Sequence, residues 1–336
     1  MKKTFDKNAE KFVALMVEKI ESMSENWQKP WFYKGKSLNI FIPQNLTGRY
    51  YSGGNVFLLY FLCEKYNYQT PVFLTFNQAR KEGIKISKGS ISFPVYYTML
   101  CAYERNTNEK ISFEDYRALS EEDKANYRLS SYTQYYHVFN IDQTDFATRY
   151  PQKWKMLKEK FLKETDENNN QTKGMYVNPI LDAMNESQSW VCPISIEYSD
   201  SAFYSLSTDS ITLPLKKQFL DGENFYATEL HEMGHSTGVN ERLNRKHFYD
   251  RDIKSYGREE LVAELVAALM GLYLGISVSV RKENAAYLKT WCKSIGEEPK
   301  FLFSVLADAI KAVKYISRHL NISLELENEQ SITDVA

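Results

Sequence analysis

The chain has 336 residues, of which 43% are hydrophobic and 25% are charged, and its formal net charge is −1. This composition can bury a core and excludes an intrinsically disordered chain, and the length suggests about two domains. The polar N-terminus lacks the apolar segment of a secretory signal, and the longest apolar runs, such as 56–63, are too short to cross a bilayer, so we expect a cytoplasmic protein.

The first half of the chain predicts a mixed α+β domain. Apolar residues at i, i+3 and i+4 indicate an amphipathic first helix. Strand-like composition appears later, on both sides of a charged insertion, Arg105 to Asp123. The predicted elements are helices at 12–20, 55–66 and 76–82 and strands at 91–100 and 135–141.

A polar, Asn-rich segment, Lys163 to Gly174, has no periodicity and predicts a linker. We therefore expect two domains, 1–165 and 166–336. In the second, stretches 190–198 and 202–214 have strand composition, and a turn at Ser207 to Asp209 could join them. Helices are predicted around 227–238, from about Arg258 to Leu274 and from about Glu298 to His319. Strands followed by helices predict an α+β fold here too.

The charge is unevenly distributed along the chain. Residues 1–100 carry 14 Lys and Arg but 7 Asp and Glu, a net charge of +7, and the remainder carries a net charge of −8. A basic half beside an acidic half indicates two roles, one of which could be polyanion binding. The alternative is an uneven solvated surface without such a partner.

Aromatic residues alternate with cations in the first hundred residues, as in W-Q-K-P-W at 27–31. Rings that stack on bases and cations that follow phosphates are what single-strand binding requires. The alternative is that most of these aromatics belong to the core. The candidate DNA-binding residues are Trp27, Lys29, Trp31, Arg49, Tyr51, Asn55, Lys81, Lys85 and Lys88.

The stretch A-T-E-L-H-E-M-G-H-S-T-G, residues 227–238, contains two histidines four residues apart. On a helix, His231 and His235 lie one turn apart on one face and could bind one ion, while Glu232 is rotated by about 100° and could reach a bound water. In this pattern the histidines hold Zn²⁺, the ion lowers the pKa of the water, and Glu232 transfers its proton to the leaving group. We predict one Zn²⁺, with another divalent transition metal as the alternative. A helix with two capped or exposed histidines is the reading without a metal.

A catalytic zinc needs a third protein ligand and an open position. Glu241 follows His235 after a glycine and is one candidate. In R-E-E-L-V-A-E-L, Glu260 and Glu264 lie one turn apart on an otherwise apolar helix, a costly place for carboxylates that are neither paired nor bound to metal. We favour Glu260 as the ligand and Glu264 as the carboxylate that supports a histidine, with the reverse assignment and Glu241 left open. Candidates for stabilising an oxyanion, among which the spacing does not choose, are Tyr226, His247, Tyr249 and Tyr256.

The chain resembles the ArdC-type antirestriction proteins of conjugative plasmids and transposons. The matching segments in the first half are W-x-K-P-W, N-x-T-G-R-x-Y-x-G-x-N, a T-F-x-Q-A-x-x-x-G block and V-F-N-x-x-Q at 138–143. Those in the second half are D-S-I-T-L-P, the 227–238 stretch, R-L-N-R at 242–245, E-E-L-V-A-E-L and A-A-Y-L-K-T-W. The resemblance covers most of the chain.

The resemblance implies an N-terminal single-stranded-DNA-binding domain, which also occurs in TraC-type primases, and a C-terminal zincin-like metallopeptidase domain. It implies a metal site built from His231, His235 and a later Glu, and because the position of Glu241 is not a fixed acid in that family, it favours Glu260. It also implies protection of incoming DNA during conjugation. Such a protein would be cytoplasmic and could accompany the DNA into a recipient cell.

Three functions compete. The first is a DNA-tethered metallopeptidase that counters host restriction or processes a protein at transferred DNA. The second is a single-stranded-DNA-binding protector whose metal site is structural or vestigial, and the third is a cytoplasmic metallopeptidase without a nucleic-acid role. Glu232 favours the first over the second because a structural site needs no general base, and the basic first hundred residues argue against the third.

Overall fold

The structure is a computed structural model that describes residues 7–25, 31–32, 42–162, 177–219, 221–250, 252–280 and 282–322. The predicted linker, Lys163 to Gly174, and two candidate DNA-binding residues, Trp27 and Lys29, lie outside the described residues. The fold combines helices with two mixed sheets, which confirms the predicted α+β class. Of the helices in these ranges, none is long and apolar enough to cross a membrane.

Two buried helices organise the N-terminal half. Phe12, Met16 and Ile20 recur every four residues on the buried side of the first, and the second is apolar on nearly all sides and buried along most of its length. The elements of this half, in chain order, are α1 (Lys7–Glu25), β1 (Gln44–Asn45), α2 (Gly54–Lys65), β2 (Val72–Thr75), α3 (Phe76–Lys81), β3 (Phe93–Glu104), β4 (Lys110–Ser112), α4 (Phe113–Ala118), α5 (Glu121–Lys124), β5 (Tyr127–Asn140), α6 (Phe146–Arg149) and α7 (Pro151–Leu162).

The N-terminal sheet has the strand order β1-β2-β5-β3-β4. β3 and β5 pair antiparallel, from Phe93 opposite Val138 to Glu104 opposite Tyr127. The strands predicted at 91–100 and 135–141 are the inner ends of these longer strands. The charged insertion between them folds as β4, α4 and α5, where Ser112 caps the first helix by accepting a hydrogen bond from a backbone N–H.

The C-terminal half consists of a small sheet and a set of helices. Its elements are α8 (Pro179–Ser187), β6 (Ile194–Glu197), β7 (Phe203–Ser205), β8 (Ser210–Pro214), α9 (Gly222–Ser236), α10 (Ile253–Leu274), α11 (Leu288–Glu297) and α12 (Pro299–His319). The helix predicted from about Arg258 begins earlier because Asp252 caps it, accepting hydrogen bonds from two backbone N–H groups of its first turn. The sequence analysis does not predict α11.

The C-terminal sheet has the order β6-β8-β7, with β6 parallel and β7 antiparallel to β8. The expectation that a turn at Ser207 to Asp209 joins stretches 190–198 and 202–214 is wrong. That turn lies inside the second stretch and joins β7 to β8, with Asp209 in the left-handed region (φ 45). Strand composition does not reveal that one stretch contains two paired strands, because pairing depends on the turn.

One hydrophobic core joins the two halves, and we refer to it as the shared core. α1 packs against α11 and α12. The ring of Phe12 stacks on Phe303 of α12 with centroids 5.4 Å apart, and the backbone N–H of Trp31 donates to the carbonyl of Val278 at 2.8 Å. Gly54 permits this packing because a Cβ there would overlap the Tyr96 hydroxyl and lie 3.2 Å from Phe12.

Candidate metal centre

The close crossing of α9 and α10 assembles the site. Gly234, on the histidine-bearing helix α9, faces α10, and a Cβ at this position would lie 3.3 Å from Val266 and 3.4 Å from the Cα of Ala263. These are tighter than ordinary contacts, so a larger residue would push the helices apart. The glycine thereby allows Glu260 on α10 to reach the histidines of α9.

Three side chains converge between the two helices. The Nε2 atoms of His231 and His235 are 3.1 Å apart, and the Glu260 carboxylate oxygens lie 3.3 Å from the first and 3.5 Å from the second. All three ligand atoms lie within 4.8 Å of one another, the one such group in the part of the chain that the structure describes. Two imidazole nitrogens and one carboxylate oxygen are a donor set of catalytic zinc sites, so these residues fit a divalent transition metal with an open position.

The electrostatics of this group favour a cation. Burial lowers the pKa of His235, but the negative charge of Glu260 and hydrogen bonds to Glu259 and Glu260 outweigh burial and raise the pKa to about 10. Burial raises the pKa of Glu260, but the facing histidines hold that pKa far below its ordinary value. The pocket therefore stabilises positive charge next to the Glu260 carboxylate, which is the condition for binding a cation.

Asn284 fixes the two carboxylates of α10. Its Nδ2 donates to Oε2 of Glu260 and to Oε1 of Glu264, both at 2.8 Å, and all three side chains are buried. The same oxygen of Glu264 lies 3.8 Å from Nδ1 of His231. Glu264 thus lies beside the histidine that the sequence analysis expects it to support, on the side away from the converging Nε2 atoms.

A second carboxylate supports the other histidine. Oε1 of Glu259 lies 3.2 Å from Nδ1 of His235. Glu259 also accepts two hydrogen bonds from the buried guanidinium of Arg245, at 2.5 and 3.0 Å. Burial raises the pKa of Glu259, but the charge of Arg245 and the contact with His235 produce a net lowering of the pKa. A charged Glu259 fixes the ring orientation of His235 and presents its Nε2 to the site.

Arg245 in turn holds the C-terminal end of α9. It donates to the carbonyl of Gly234 at 2.8 Å and to the hydroxyl of Thr237 at 2.6 Å. The Thr237 hydroxyl itself donates to the Gly234 carbonyl at 2.7 Å, so the guanidinium joins a hydrogen-bond network at the helix end. One buried side chain therefore connects the end of the histidine helix to the carboxylate that orients His235.

Glu232 is buried next to the edge of the C-terminal sheet. Its Oε2 accepts a hydrogen bond from the backbone N–H of Tyr204 in β7 at 2.9 Å. β7 is an edge strand, and this N–H is directed away from its partner β8. The free edge of β7 therefore faces the carboxylate that the sequence analysis identifies as the general base.

The chain turns back after α9. The residue that this turn brings next to the histidines is Arg245, through Glu259, rather than Glu241. The N–H of Gly238 donates to the carbonyl of His235 at 2.8 Å, and the N–H of Arg245 donates to the carbonyl of Gly238 at 2.9 Å. A Cβ at Gly238 would overlap Phe248. Glu241 is exposed and is not part of the converging group, so this structure offers Glu260 as the third ligand.

The oxyanion candidates are engaged elsewhere or exposed. Polar atoms of three of them contact other groups, namely Tyr226 with Asp182, Tyr249 with the N–H of Asn240 and His247 with Asp250. Tyr256 is 51% exposed. The structure therefore assigns the oxyanion role to none of the four.

The candidate DNA-binding residues separate into surface and core residues. Lys81, Lys85 and Lys88 are exposed around α3, and Arg49 is half-buried. Three others are buried, namely Trp31, Tyr51 and Asn55. Trp31 packs against Phe57, and the Asn55 side chain bonds both the N–H and the carbonyl of Tyr96. These three residues stabilise the fold in this structure, so the proposed DNA site does not include them.

The sequence analysis missed the residues that support the ligands: Arg245, Glu259 and Asn284. Arg245 lies within the R-L-N-R segment and Glu259 within E-E-L-V-A-E-L. Both segments carry the resemblance to the family, but the sequence pattern predicts no role for these two residues. A tandem Glu-Glu on an apolar helix is the available signal for Glu259, since each carboxylate needs a partner. Asn284 lies in a different segment and had no signal.

Two parts of the chain match known families. Residues 6–139 match the family described as the N-terminal domain of anti-restriction factor ArdC. Residues 185–308 match the family described as a zincin-like metallopeptidase. The converging residues His231, His235 and Glu260 all lie within the second match.

Two relatives differ in how much of their own length this chain covers. DNA primase TraC of Escherichia coli is 30% identical over 306 residues, which cover 90% of this chain and 26% of the primase. The chain therefore spans about a quarter of the length of that relative. The uncharacterized protein y4eC of Sinorhizobium fredii (strain NBRC 101917 / NGR234) is 24% identical over 304 residues, which cover 89% of this chain and 88% of that protein.

Two solved structures share the fold. The metal-free crystal structure of antirestriction ArdC protein from R388 plasmid has a TM-score of 0.66 and 24% sequence identity, and the match covers 94% of this chain and 98% of that one. The Mn(II)-bound structure of the same protein has a TM-score of 0.64, and the match covers 97% and 100%. The likeness extends across both halves of the chain.

Proposed function

Because the chain belongs to the ArdC-type antirestriction family, with an ArdC N-terminal domain and a zincin-like metallopeptidase domain, we propose that it is a DNA-binding metallopeptidase of a mobile element. Its N-terminal half binds single-stranded DNA, and its C-terminal half hydrolyses a protein at the transferred DNA. Such a protein works in the cytoplasm. The proposed domains are 1–165 and 166–336. The first family match ends at residue 139 and the second begins at residue 185, on either side of this boundary.

The observation that carries the proposal is the group His231, His235 and Glu260 with Glu232 beside it. The donor set supports one Zn²⁺, with Mn²⁺ as the alternative because a structural relative is described as Mn(II)-bound. A metal bound here would polarise the substrate carbonyl and lower the pKa of a water. Glu232 would accept the proton of that water and deliver it to the departing amine, while the Tyr204 N–H holds the carboxylate in place.

The position of the β7 edge favours a peptide as the substrate. An extended peptide can add to an exposed edge strand through backbone hydrogen bonds, and β7 runs directly past Glu232. Phe203 is 46% exposed on the same strand and offers an apolar contact. A substrate placed along this edge brings a peptide bond next to the general base.

The N-terminal half is proposed to bind DNA for two reasons. The first hundred residues carry a net charge of +7, and Lys81, Lys85 and Lys88 are exposed together around α3. The relative that is 30% identical is described as a DNA primase, an enzyme that acts on DNA. A basic domain joined to a peptidase would place hydrolysis where the DNA is.

The test separates the metal, the chemistry and the DNA in one protein sample. Glu232→Gln should retain about one metal per chain and lose hydrolysis of a casein-type general substrate, because the ligands are intact and the general base is gone. Wild-type cleavage by Glu232→Gln would overturn the mechanism. Metal and DNA binding with no cleavage by the wild type would instead favour a DNA-binding protector with a structural metal site, and metal without DNA binding would leave a peptidase alone.

A further inference from the structure

The outer part of the β3–β5 pair presents a face rich in tyrosine. Residues directly opposite on paired strands share a face, and side chains alternate between faces along each strand. Tyr103 lies opposite Arg128, and Tyr97 lies opposite Gln134. Tyr132 and Tyr136 follow Arg128 by an even number of residues on the same strand, so their side chains lie on that same face. We call this set the tyrosine face: Tyr97, Tyr103, Tyr132, Tyr136, Lys110 and Arg128.

Contacts between the side chains agree with this assignment. The guanidinium of Arg128 lies 4.7 Å from the ring centre of Tyr103, and Nζ of Lys110 lies 4.8 Å from that of Tyr132. The rings of Tyr97 and Tyr136 are 5.6 Å apart. Three independent contacts therefore join residues that the register places on one face.

The tyrosine face is open to solvent at its outer end. Tyr132 is 40% exposed, and Lys110 and Arg128 are exposed. Tyr97 and Tyr136 are half-buried where the pair enters the shared core. From Arg128 to Tyr136 the strand rises by about 27 Å, a length comparable to the shortest single-strand sites of about four nucleotides.

The charge on this face is of one sign. Among the residues of β3, β4 and β5 whose side chains the structure describes, those on this face include Lys110 and Arg128 but no Asp or Glu. The Glu104 position is on the opposite face. Beyond the strands, Tyr116 of α4 packs on Tyr127, which belongs to the opposite face, and Asp115 of α4 accepts a hydrogen bond from the hydroxyl of Ser112 at the end of β4.

We propose that single-stranded DNA binds along the tyrosine face, with bases stacking on Tyr132 and Tyr103 and phosphates contacting Lys110 and Arg128. The inference rests on the proposed function and names a surface that takes part in DNA binding in addition to the lysines around α3. Aromatic rings interleaved with cations and without carboxylates match a polyanion whose bases have open ring faces. Duplex DNA fits less well because its bases are stacked inside and offer no ring face.

The test is a fluorescence-anisotropy titration of full-length protein with a labelled oligothymidylate at two salt concentrations. Tyr132→Ala should weaken binding by about 5- to 100-fold, the range expected for one stacked base. Tyr132→Phe keeps the ring and should bind within about twofold of the wild type. Lys110→Glu and Arg128→Glu should weaken binding and flatten its salt dependence.

Matched controls come from the opposite face and from another element. Leu129→Ala removes a side chain that is 51% exposed on the opposite face, and Lys155→Glu reverses an exposed charge on α7. Both should bind nearly as the wild type does. Circular dichroism and Tm establish that each variant is folded.

The outcomes separate the surface from the function. If the wild type binds the oligonucleotide and Tyr132→Ala binds equally well, the tyrosine face is not the site, although the DNA-binding function stands. Equal losses in Tyr132→Ala and Leu129→Ala would also overturn the assignment, because the effect would not depend on the face. If the wild type itself does not bind, the proposed DNA-binding function fails.

Discussion

The guanidinium of Arg245 donates to both carboxylate oxygens of Glu259, and that carboxylate lies 3.2 Å from Nδ1 of His235. The pair is buried, so Glu259 is held by an ion pair that solvent screens little. A carboxylate fixed in this way selects the tautomer of His235 that presents Nε2 to a metal. The second ligand of the proposed site therefore depends on a residue from the loop after α9.

Removing the charge of Glu259 should weaken metal binding without abolishing it. We expect Glu259→Gln to lower the affinity for Zn²⁺ by about 10- to 100-fold, because His235 loses its orienting partner. Competition with a chromophoric chelator measures this affinity. Glu241→Gln is the matched control, since Glu241 is exposed near the same helix. A larger loss in Glu241→Gln than in Glu259→Gln would reopen Glu241 as a ligand.

The two carboxylates of α10 should respond differently to substitution. Glu260→Ala removes an atom from the converging group, so metal content should fall from about one per chain to near zero. Glu264→Ala leaves the three ligand atoms in place, so the site should still fill at saturating Zn²⁺, with about 10- to 100-fold lower affinity. Metal analysis after dialysis against defined Zn²⁺ concentrations distinguishes them. The reverse order would exchange the roles of the two residues.

The lysines around α3 are tested by charge reversal. We expect Lys81, Lys85 and Lys88 changed together to Glu to weaken single-strand binding and to lower the slope of log K against log salt by about 2 if all three contact phosphates. The matched control reverses three exposed lysines of the C-terminal half, Lys289, Lys293 and Lys300, with the same change in net charge. Equal effects in the two variants would mean that only the overall charge matters and that α3 has no special role.

Glu229 on α9 predicts a pH dependence of stability. It is fully buried, and burial raises its pKa from 4.5 to about 8, although a hydrogen bond from Asn185 opposes the rise. A raised pKa in the folded state means that the free energy of unfolding is highest below about pH 4.5, falls as pH increases, and levels off above about pH 8.

Glu229→Gln should remove this dependence, because Gln resembles the protonated carboxyl group. The Tm of the variant minus that of the wild type should grow by a few degrees between pH 5 and pH 8 and then stay constant. Glu186→Gln, at an exposed position on α8, is the control and should show no such trend. Parallel Tm curves for Glu229→Gln and the wild type would contradict the raised pKa.

The convergence of His231, His235 and Glu260 was largely predictable because the sequence pattern behind it is local. Two histidines four apart on a helix share a face whatever the rest of the chain does, and two acids on an apolar helix need a reason to be there. The support from Arg245 and Asn284 was not predictable, because it depends on how a loop and a distant segment return to α9 and α10. Helix periodicity predicts which residues share a face of one helix, but it does not predict which loops and helices pack together.

The candidate DNA-binding residues were harder to choose for a related reason. An aromatic residue beside a lysine has the same sequence pattern whether it lies on the surface or in the core. Trp31 packs against Phe57 and Tyr51 against Phe73, so their burial depends on contacts with residues that are more than 20 positions away in the sequence. The tyrosine face, by contrast, depends on the register of β3 and β5, which the two predicted strands left undefined.

The shared core has a consequence for how this architecture is inherited. Phe12, near the start of the described chain, rests on Phe303, near its end, so neither half has a complete surface of its own. A recombination event that separated the halves would leave apolar side chains of both in water. TraC of Escherichia coli aligns with this chain over 306 residues, which make up 26% of that longer protein. In that relative the two halves thus lie together within a longer chain and are not divided.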